Sequence, residues 1–67
     1  MSSKVYHLVS YSFNAEFESE EIKEGLKEAI SSAKNKIADG FDKVTICDED
    51  GVVNRIYYNV NGQARRL

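Results

Sequence analysis

The sequence predicts one α+β domain, in which a three-stranded antiparallel sheet packs against a single helix in the chain order β-α-β-β. Apolar residues at helical spacing between positions 19 and 40, and segments rich in β-branched and aromatic residues on both sides, predict these elements. An Asp-Gly pair between the last two β-rich segments is typical of a hairpin. The 67 residues suffice for a single domain, 1–67, that buries only about 60% of its unfolded surface.

The helix is predicted over Ser19–Gly40, because its apolar residues recur every three or four positions and form one stripe. The stripe consists of Ile22, Leu26, Ala29, Ile30, Ala33 and Ile37. Ser19 is the expected N-cap, since its hydroxyl can accept a hydrogen bond from an N–H of the first turn. Gly40 suits the left-handed residue that follows a helix. Gly25 lies inside the predicted helix, where either close approach of another backbone or simple tolerance accounts for it.

The β-rich segments define three strands and the turns between them. The strands are predicted over Lys4–Phe13, Phe41–Cys47 and Val52–Val60. Asp50 and Gly51 are expected to turn the chain between the second and third strands, because both residues tolerate positive φ. Asn61-Gly62 is interpreted as a further turn or a strand end, and Gln63–Leu67 as a basic tail.

One helix can cover only one face of such a sheet, so the other face stays uncovered. That face is expected to show some of Tyr6, Leu8, Val53 and Tyr57, or the residues that alternate with them. A large exposed apolar patch usually marks an interface or a ligand site. Together with the small size of the chain, this predicts that the protein associates with itself or with a partner.

Charge and cysteine content narrow the classes of function. The net charge is −2, and this weakly acidic balance disfavours broad nucleic-acid binding, which normally needs a basic patch. Cys47 is the only cysteine, so no disulfide forms within the chain. A single cysteine, with no apolar leader and no apolar run of membrane-spanning length, predicts a cytoplasmic protein without a membrane span.

The sequence offers no convincing catalytic or metal-binding set, so we expect no enzyme and no metal site. His7 is interpreted as an ordinary strand histidine, because no orienting partner is apparent in the sequence. Cys47 is interpreted as a structural thiol, since the neighbouring Asp48 and Glu49 disfavour a thiolate. The acidic run at residues 48–50 lacks the further ligands of a calcium loop and fits a hairpin tip.

Several short motifs are shared with a known family. They are Lys4-Val5-Tyr6-His7-Leu8-Val9, Ser19-Glu20-Glu21, the small Gly25 and Ala29, Glu49-Asp50-Gly51, and the closing Arg66-Leu67. In these motifs and in its length the chain resembles the dodecins, small β-α-β-β flavin-binding proteins that assemble into hollow dodecamers. The resemblance implies a homo-oligomer and a flavin as the candidate cofactor. In the family, the flavin-stacking tryptophan comes just after the helix and before a Phe, but here Gly40 precedes Phe41 and the chain has no tryptophan. The position of the family's flavin-bonding glutamine corresponds approximately to Tyr57.

The sequence therefore favours a non-enzymatic protein that binds or stores a small, flat aromatic ligand as a homo-oligomer. The expected ligand-binding residues are Tyr57, Arg55 and Tyr6 on the sheet side. The alternative is a small protein-binding module that regulates or inhibits a larger partner. It would dock through an exposed sheet edge or an acidic helix face formed by Glu20, Glu21, Glu24 and Glu28. Nucleic-acid binding, through Arg55, Arg65 and Arg66, is the least favoured.

Overall fold

The computed structural model describes residues 4–13 and 17–66. In chain order the elements are β1 (Tyr6–Tyr11), β2 (Phe17–Ile22), α1 (Leu26–Ala38), β3 (Lys43–Asp48), β4 (Val53–Val60) and β5 (Gln63–Arg66). The strands form one antiparallel sheet in the order β2-β1-β3-β4-β5, and α1 contacts it. The α+β class with one helix is confirmed. The predicted number of strands was wrong, because the sheet has five rather than three.

The additional strand β2 begins two residues before the stretch that the sequence assigns to a helix and includes the first four residues of that stretch, 19–22. Phe17–Ile22 pairs residue by residue with β1, and its last residue, Ile22, is buried in the core. Since a single apolar residue fits the period of either a strand or a helix, Ile22 could equally extend the apolar stripe of α1. Pairing with β1 decides the outcome, because it satisfies the outer backbone groups of β1.

The helix consequently begins later than predicted and without the expected cap. Gly25 precedes its first turn with φ 100° and ψ −179°, and no side chain caps the helix. Ser19 lies instead within β2, so its predicted role as N-cap was wrong. The C-terminal prediction is confirmed, because Gly40 has φ 113°. Its N–H donates to Ile37 at 3.0 Å while Phe41 N–H donates to Lys36 at 3.2 Å, the paired bonds of a Schellman motif.

The core lies between α1 and one face of the sheet. Small alanines at two turns of the helix, Ala29 and Ala33, are fully buried, which allows α1 to lie close to the strands. The other buried apolar residues are Tyr6, Leu8, Ile22, Ile37, Val44, Ile46 and Tyr57. This single cluster draws on β1, β2, β3, β4 and α1, so the helix holds both halves of the sheet together.

Two tight turns connect the last three strands of the sheet. The predicted hairpin after β3 is confirmed: Asp48 Oδ1 accepts the N–H groups of Asp50 and Val52, each at 2.9 Å, and Gly51 has φ 83°. After β4, Asn61 and Gly62 have φ 55° and 84°. Positive φ at both residues is what a two-residue hairpin turn requires. The turn returns the chain onto β4, so most of the predicted basic tail is strand β5.

Candidate ligand-binding face

The three residues that the sequence predicts as a ligand site all lie on the helix side of the sheet. Tyr6 and Tyr57 lie in the core beneath α1, with 7% and 5% of their surface exposed, so their expected position on the uncovered face was wrong. Arg55 lies half-buried on the same side of the sheet, and its Nε donates to Asn54 Oδ1 at 2.8 Å. Strand register is the reason: Tyr57 pairs with the fully buried Val44, so Arg55, Tyr57 and Asn59 turn toward the helix. The register shift before Arg55 puts Val53 on the opposite face.

The face of the sheet opposite α1, which we call the open face, carries the apolar residues that the helix does not cover. In β4 these are Val53, Ile56, Tyr58 and Val60. The positions of the same strand that face the helix include two polar residues, Arg55 and Asn59. It is unusual for a strand to turn its more apolar residues away from the core when that outer face contacts only water. The open face is therefore the strongest candidate for a binding surface.

One row of residues crosses the open face on all five strands, and we call it the aromatic row. Each member is the direct partner of the next: Phe17 pairs with Tyr11, Tyr11 with Lys43, Lys43 with Tyr58, and Tyr58 with Arg65. Directly opposed side chains on one face of a sheet lie within contact of one another. The row thus interleaves aromatic rings with two cations along a single line perpendicular to the strands.

The row has defined side-chain geometry. The ring centroids of Tyr11 and Phe17 are 6.4 Å apart with an interplanar angle of 37°, within the range of attractive aromatic pairs. Lys43 Nζ lies 4.7 Å from the centroid of the Tyr11 ring, as in a cation–π contact. Phe17 and Tyr58 are 65% and 37% exposed, so a ligand can reach their rings. Lys43 therefore places a positive charge between the accessible tyrosines Tyr11 and Tyr58.

Charge on the open face is segregated along the strands. Both cations of the aromatic row lie at one end of the sheet. Among the strand residues of this face, the acidic one is Glu21, four positions along β2 from Phe17. At about 3.3 Å per residue this separates it from the row by roughly 13 Å. Glu21 is also neutralised locally, since its Oε1 lies 3.6 Å from Lys23 Nζ. The aromatic row is therefore electropositive.

A second row at the far end of the open face brings together three residues that are distant from one another in the sequence. Glu21 pairs with His7, and His7 pairs with Cys47. This is the set of groups that an activated thiol would use. Within the described residues, however, no hydrogen bond joins these three side chains, and the Glu21 carboxylate is directed to Lys23. The row supports no catalytic assignment.

One depression among the described residues lies apart from the aromatic row. A depression of about 200 Å³ is lined by Ser12, Asp39, Gly40 and Phe41, at the C-terminal end of α1. None of these residues belongs to the aromatic row, which is a platform on the open face. The row and not the depression is the candidate site, because it combines rings and cations suited to one ligand. Over the described ranges, no group of three or more His, Cys, Asp or Glu is placed to hold a metal ion.

The acidic helix face of the alternative hypothesis is not formed. Glu20 and Glu21 lie on β2, Glu24 lies in the connection that follows, and Glu28 lies in the first turn of α1. The acidic residues expected on one helix face are thus divided between a sheet edge and the helix. Within residues 4–13 and 17–66, no helix has the length and apolar character needed to cross a membrane.

The sequence signal for the aromatic row is present but ambiguous. Tyr11 and Tyr58 are visible as strand aromatics, yet they alternate with Tyr6, Leu8 and Tyr57, which are equally suited to a buried face. Only the position of α1 distinguishes the two sets. No protein-family model, no curated protein and no solved structure matches this chain.

Proposed function

We propose that the protein is a non-enzymatic binding protein that holds a flat aromatic ligand with a negatively charged group on its open face. The observation that carries the proposal is the aromatic row, in which Tyr11 and Tyr58 flank Lys43, and Arg65 follows Tyr58. The ligand class is the one expected from the sequence, while the residues assigned to it are new.

The tyrosines supply stacking surfaces for the ring of the ligand. Tyr58 is 37% and Tyr11 39% exposed, and each stands on a strand whose other face is packed in the core. A rigid platform of this kind loses little conformational entropy on binding. Stacking of a flat ring on an aromatic side chain contributes about 1–3 kcal/mol.

The cations supply recognition of the negative group. Neighbouring strands lie about 4.8 Å apart, so Lys43 is within one strand spacing of both tyrosines, and Arg65 within one of Tyr58. A phosphate or carboxylate attached to a ring stacked on Tyr58 can reach either cation. An ionised acceptor makes hydrogen bonds roughly twice as strong as a neutral one.

Flavin mononucleotide is a suitable probe, because it combines a flat ring system with a phosphate and is related to the cofactor implied by the dodecin resemblance. Riboflavin, which lacks the phosphate, is its matched control. Titration followed by flavin fluorescence should show quenching on binding, with flavin mononucleotide binding more tightly than riboflavin. Tyr58→Leu should weaken binding of both probes by about tenfold or more. Lys43→Met should mainly reduce the preference for the phosphate, since Arg65 remains beside Tyr58.

Val53→Ala is the control variant, since Val53 is 50% exposed on the open face but outside the aromatic row. It should leave both affinities unchanged. The proposal fails if neither probe binds the wild-type protein. It also fails if Tyr58→Leu and Val53→Ala bind the probes equally well.

A further inference from the structure

The sheet has two edges whose backbones are exposed. Among the described strands, β2 pairs with β1 alone and β5 with β4 alone, so each presents a row of outward N–H and C=O groups. Such an edge can accept a strand from another chain. Tyr11, Lys43 and Tyr58 lie away from both edges, whereas Phe17 and Arg65 lie on the edge strands β2 and β5. Self-association is measured without ligand, so its outcome is separate from that of the proposed function.

The β2 edge is acidic. Its six residues include Glu18, Glu20 and Glu21, all exposed, and no lysine or arginine. Glu18 Oε2 lies 3.2 Å from Lys36 Nζ, and Glu21 pairs with Lys23, so part of this charge is balanced within the chain. In the part of the chain that the structure describes, Glu20 forms no ion pair.

The β5 edge is basic. Arg65 and Arg66 are exposed, and this strand contains no acidic residue. As consecutive strand residues they point to opposite faces, Arg65 to the open face and Arg66 to the helix side. Among the described residues, neither guanidinium has an ion-pair partner, and Arg65 Nη2 donates to Gln63 Oε1 at 3.4 Å.

The two sets of charge lie level with each other across the sheet. Glu18 pairs with Ser10, Ser10 with Val44, Val44 with Tyr57, and Tyr57 with Arg66. This row on the helix side therefore begins with a carboxylate at one edge and ends with a guanidinium at the other. A second copy placed beside the first along this row would bring its Glu18 next to Arg66.

We propose that this chain assembles with itself by pairing the β5 edge of one copy with the β2 edge of the next. Pairing β2 with β2, or β5 with β5, would set like charges opposite each other, which is destabilising across strands. Pairing β5 with β2 along this row sets the guanidinium of Arg66 against the carboxylate of Glu18, while Arg65 lies level with Phe17. β2 and β5 run in the same direction, so copies with their helices on one side join as parallel strands. The contact is heterologous and extends into a ring or a filament.

A different role for charged edges is simply to keep sheets from joining. The two roles make opposite predictions about salt and about complementary variants. If the edges attract, raising the salt concentration weakens self-association, because exposed ion pairs are screened. If the charges only repel, salt screens that repulsion, so self-association does not weaken as the salt concentration rises.

The test is a charge exchange on the full chain, followed by sedimentation velocity. Glu18→Lys with Glu20→Lys makes both edges basic, and Arg65→Glu with Arg66→Glu makes both edges acidic. Each double variant alone should associate about tenfold or more weakly than the wild type. Mixing the two should restore assembly, because a basic β2 edge then meets an acidic β5 edge.

Glu24→Lys with Glu28→Lys is the matched control, with the same change in charge outside β2. It should associate like the wild type. Circular dichroism of each variant shows whether it is folded, and the milder Glu20→Gln with Arg66→Gln serves if a reversal unfolds the chain, since it too should weaken assembly. The proposal is overturned if the wild type is monomeric, if mixing restores nothing, or if the control variant dissociates equally.

Discussion

Asn59 joins three parts of the fold through one side chain. Its Nδ2 donates to the carbonyl oxygens of Ile37 at 3.3 Å and Phe41 at 3.0 Å, at the end of α1. Its Oδ1 accepts the N–H of Gly62 at 2.7 Å, in the turn before β5. Asn59, a polar residue on the helix-facing side of β4, thus provides hydrogen-bond partners for nearby backbone groups. Carbonyl groups at a helix end need such partners, because they lack them within the helix.

Replacing Asn59 with alanine should lower the free energy of unfolding by about 1–3 kcal/mol, since half-buried backbone groups lose their partners. Urea denaturation followed by circular dichroism measures this. Asn54→Ala is the control, because Asn54 is exposed at the irregularity between β3 and β4. It should change stability by less than about 0.5 kcal/mol. Equal effects of the two substitutions would contradict the linking role of Asn59.

Among the secondary-structure elements, the helix differs most from its predicted extent, because α1 begins at Leu26 and not at Ser19. Gly25 distinguishes these two starting points, since it lies inside the predicted helix but before the observed one. Inside a helix, alanine in place of glycine would stabilise the protein by roughly 1 kcal/mol. At φ 100° and ψ −179°, a conformation that is essentially restricted to glycine, a side chain costs about 1–3 kcal/mol. Gly25→Ala should therefore lower the thermal midpoint, as measured by circular dichroism.

Ser31→Ala is the control for this substitution, since Ser31 is exposed within α1. The higher helix propensity of alanine should raise stability slightly there, by less than about 0.7 kcal/mol. A stabilising effect of Gly25→Ala, similar to that of Ser31→Ala, would place the start of the helix before Gly25 and contradict the observed boundary.

The strand β2, which precedes the start of the helix, could not be predicted from the sequence. Five of its six residues are exposed, three are acidic and only Ile22 is buried, so no alternation of apolar and polar residues marks the strand. Glu20 and Glu21 also suit the first turn of a helix, where negative charge is favoured. Pairing with β1 is a contact distant from these local preferences, and it overrides them.

For the molecule as a unit, stability depends on one small core. Leu8 and Ile46 are direct partners in the two strands β1 and β3, and both are fully buried. Leu8→Ala should cost about 2–5 kcal/mol, a large part of the roughly 5–15 kcal/mol available to a typical domain. We expect helix and sheet signals to be lost together at a much lower temperature in a circular dichroism melt.

Val52→Ala is the control, because Val52 is 61% exposed beside the β3–β4 turn. Its melting temperature should equal that of the wild type within experimental error. Survival of the helical signal after the sheet of the Leu8 variant has melted would show that α1 and the sheet do not share one core.

Features that depend on local chemistry were predictable from the order of residues alone. The stripe of Ala29, Ala33 and Ile37 requires a helix with one buried side, and Gly40 and the Asp50-Gly51 pair suit turns that need positive φ. These predictions needed only the period of a helix and the conformational freedom of glycine. They were sufficient for the α+β class, one helix and the hairpin between β3 and β4.

The face of the sheet that the helix covers, and with it the candidate site, depends on packing between distant segments. Both alternating sets in β1 and β4 contain large apolar residues, so the sequence allows either Tyr57 or Tyr58 to be buried. Packing of α1 against Leu8, Val44 and Ile46 chooses Tyr57 and leaves Tyr58 in the aromatic row. The choice is cooperative, because shifting one strand by a single residue would turn its whole apolar set to the other face.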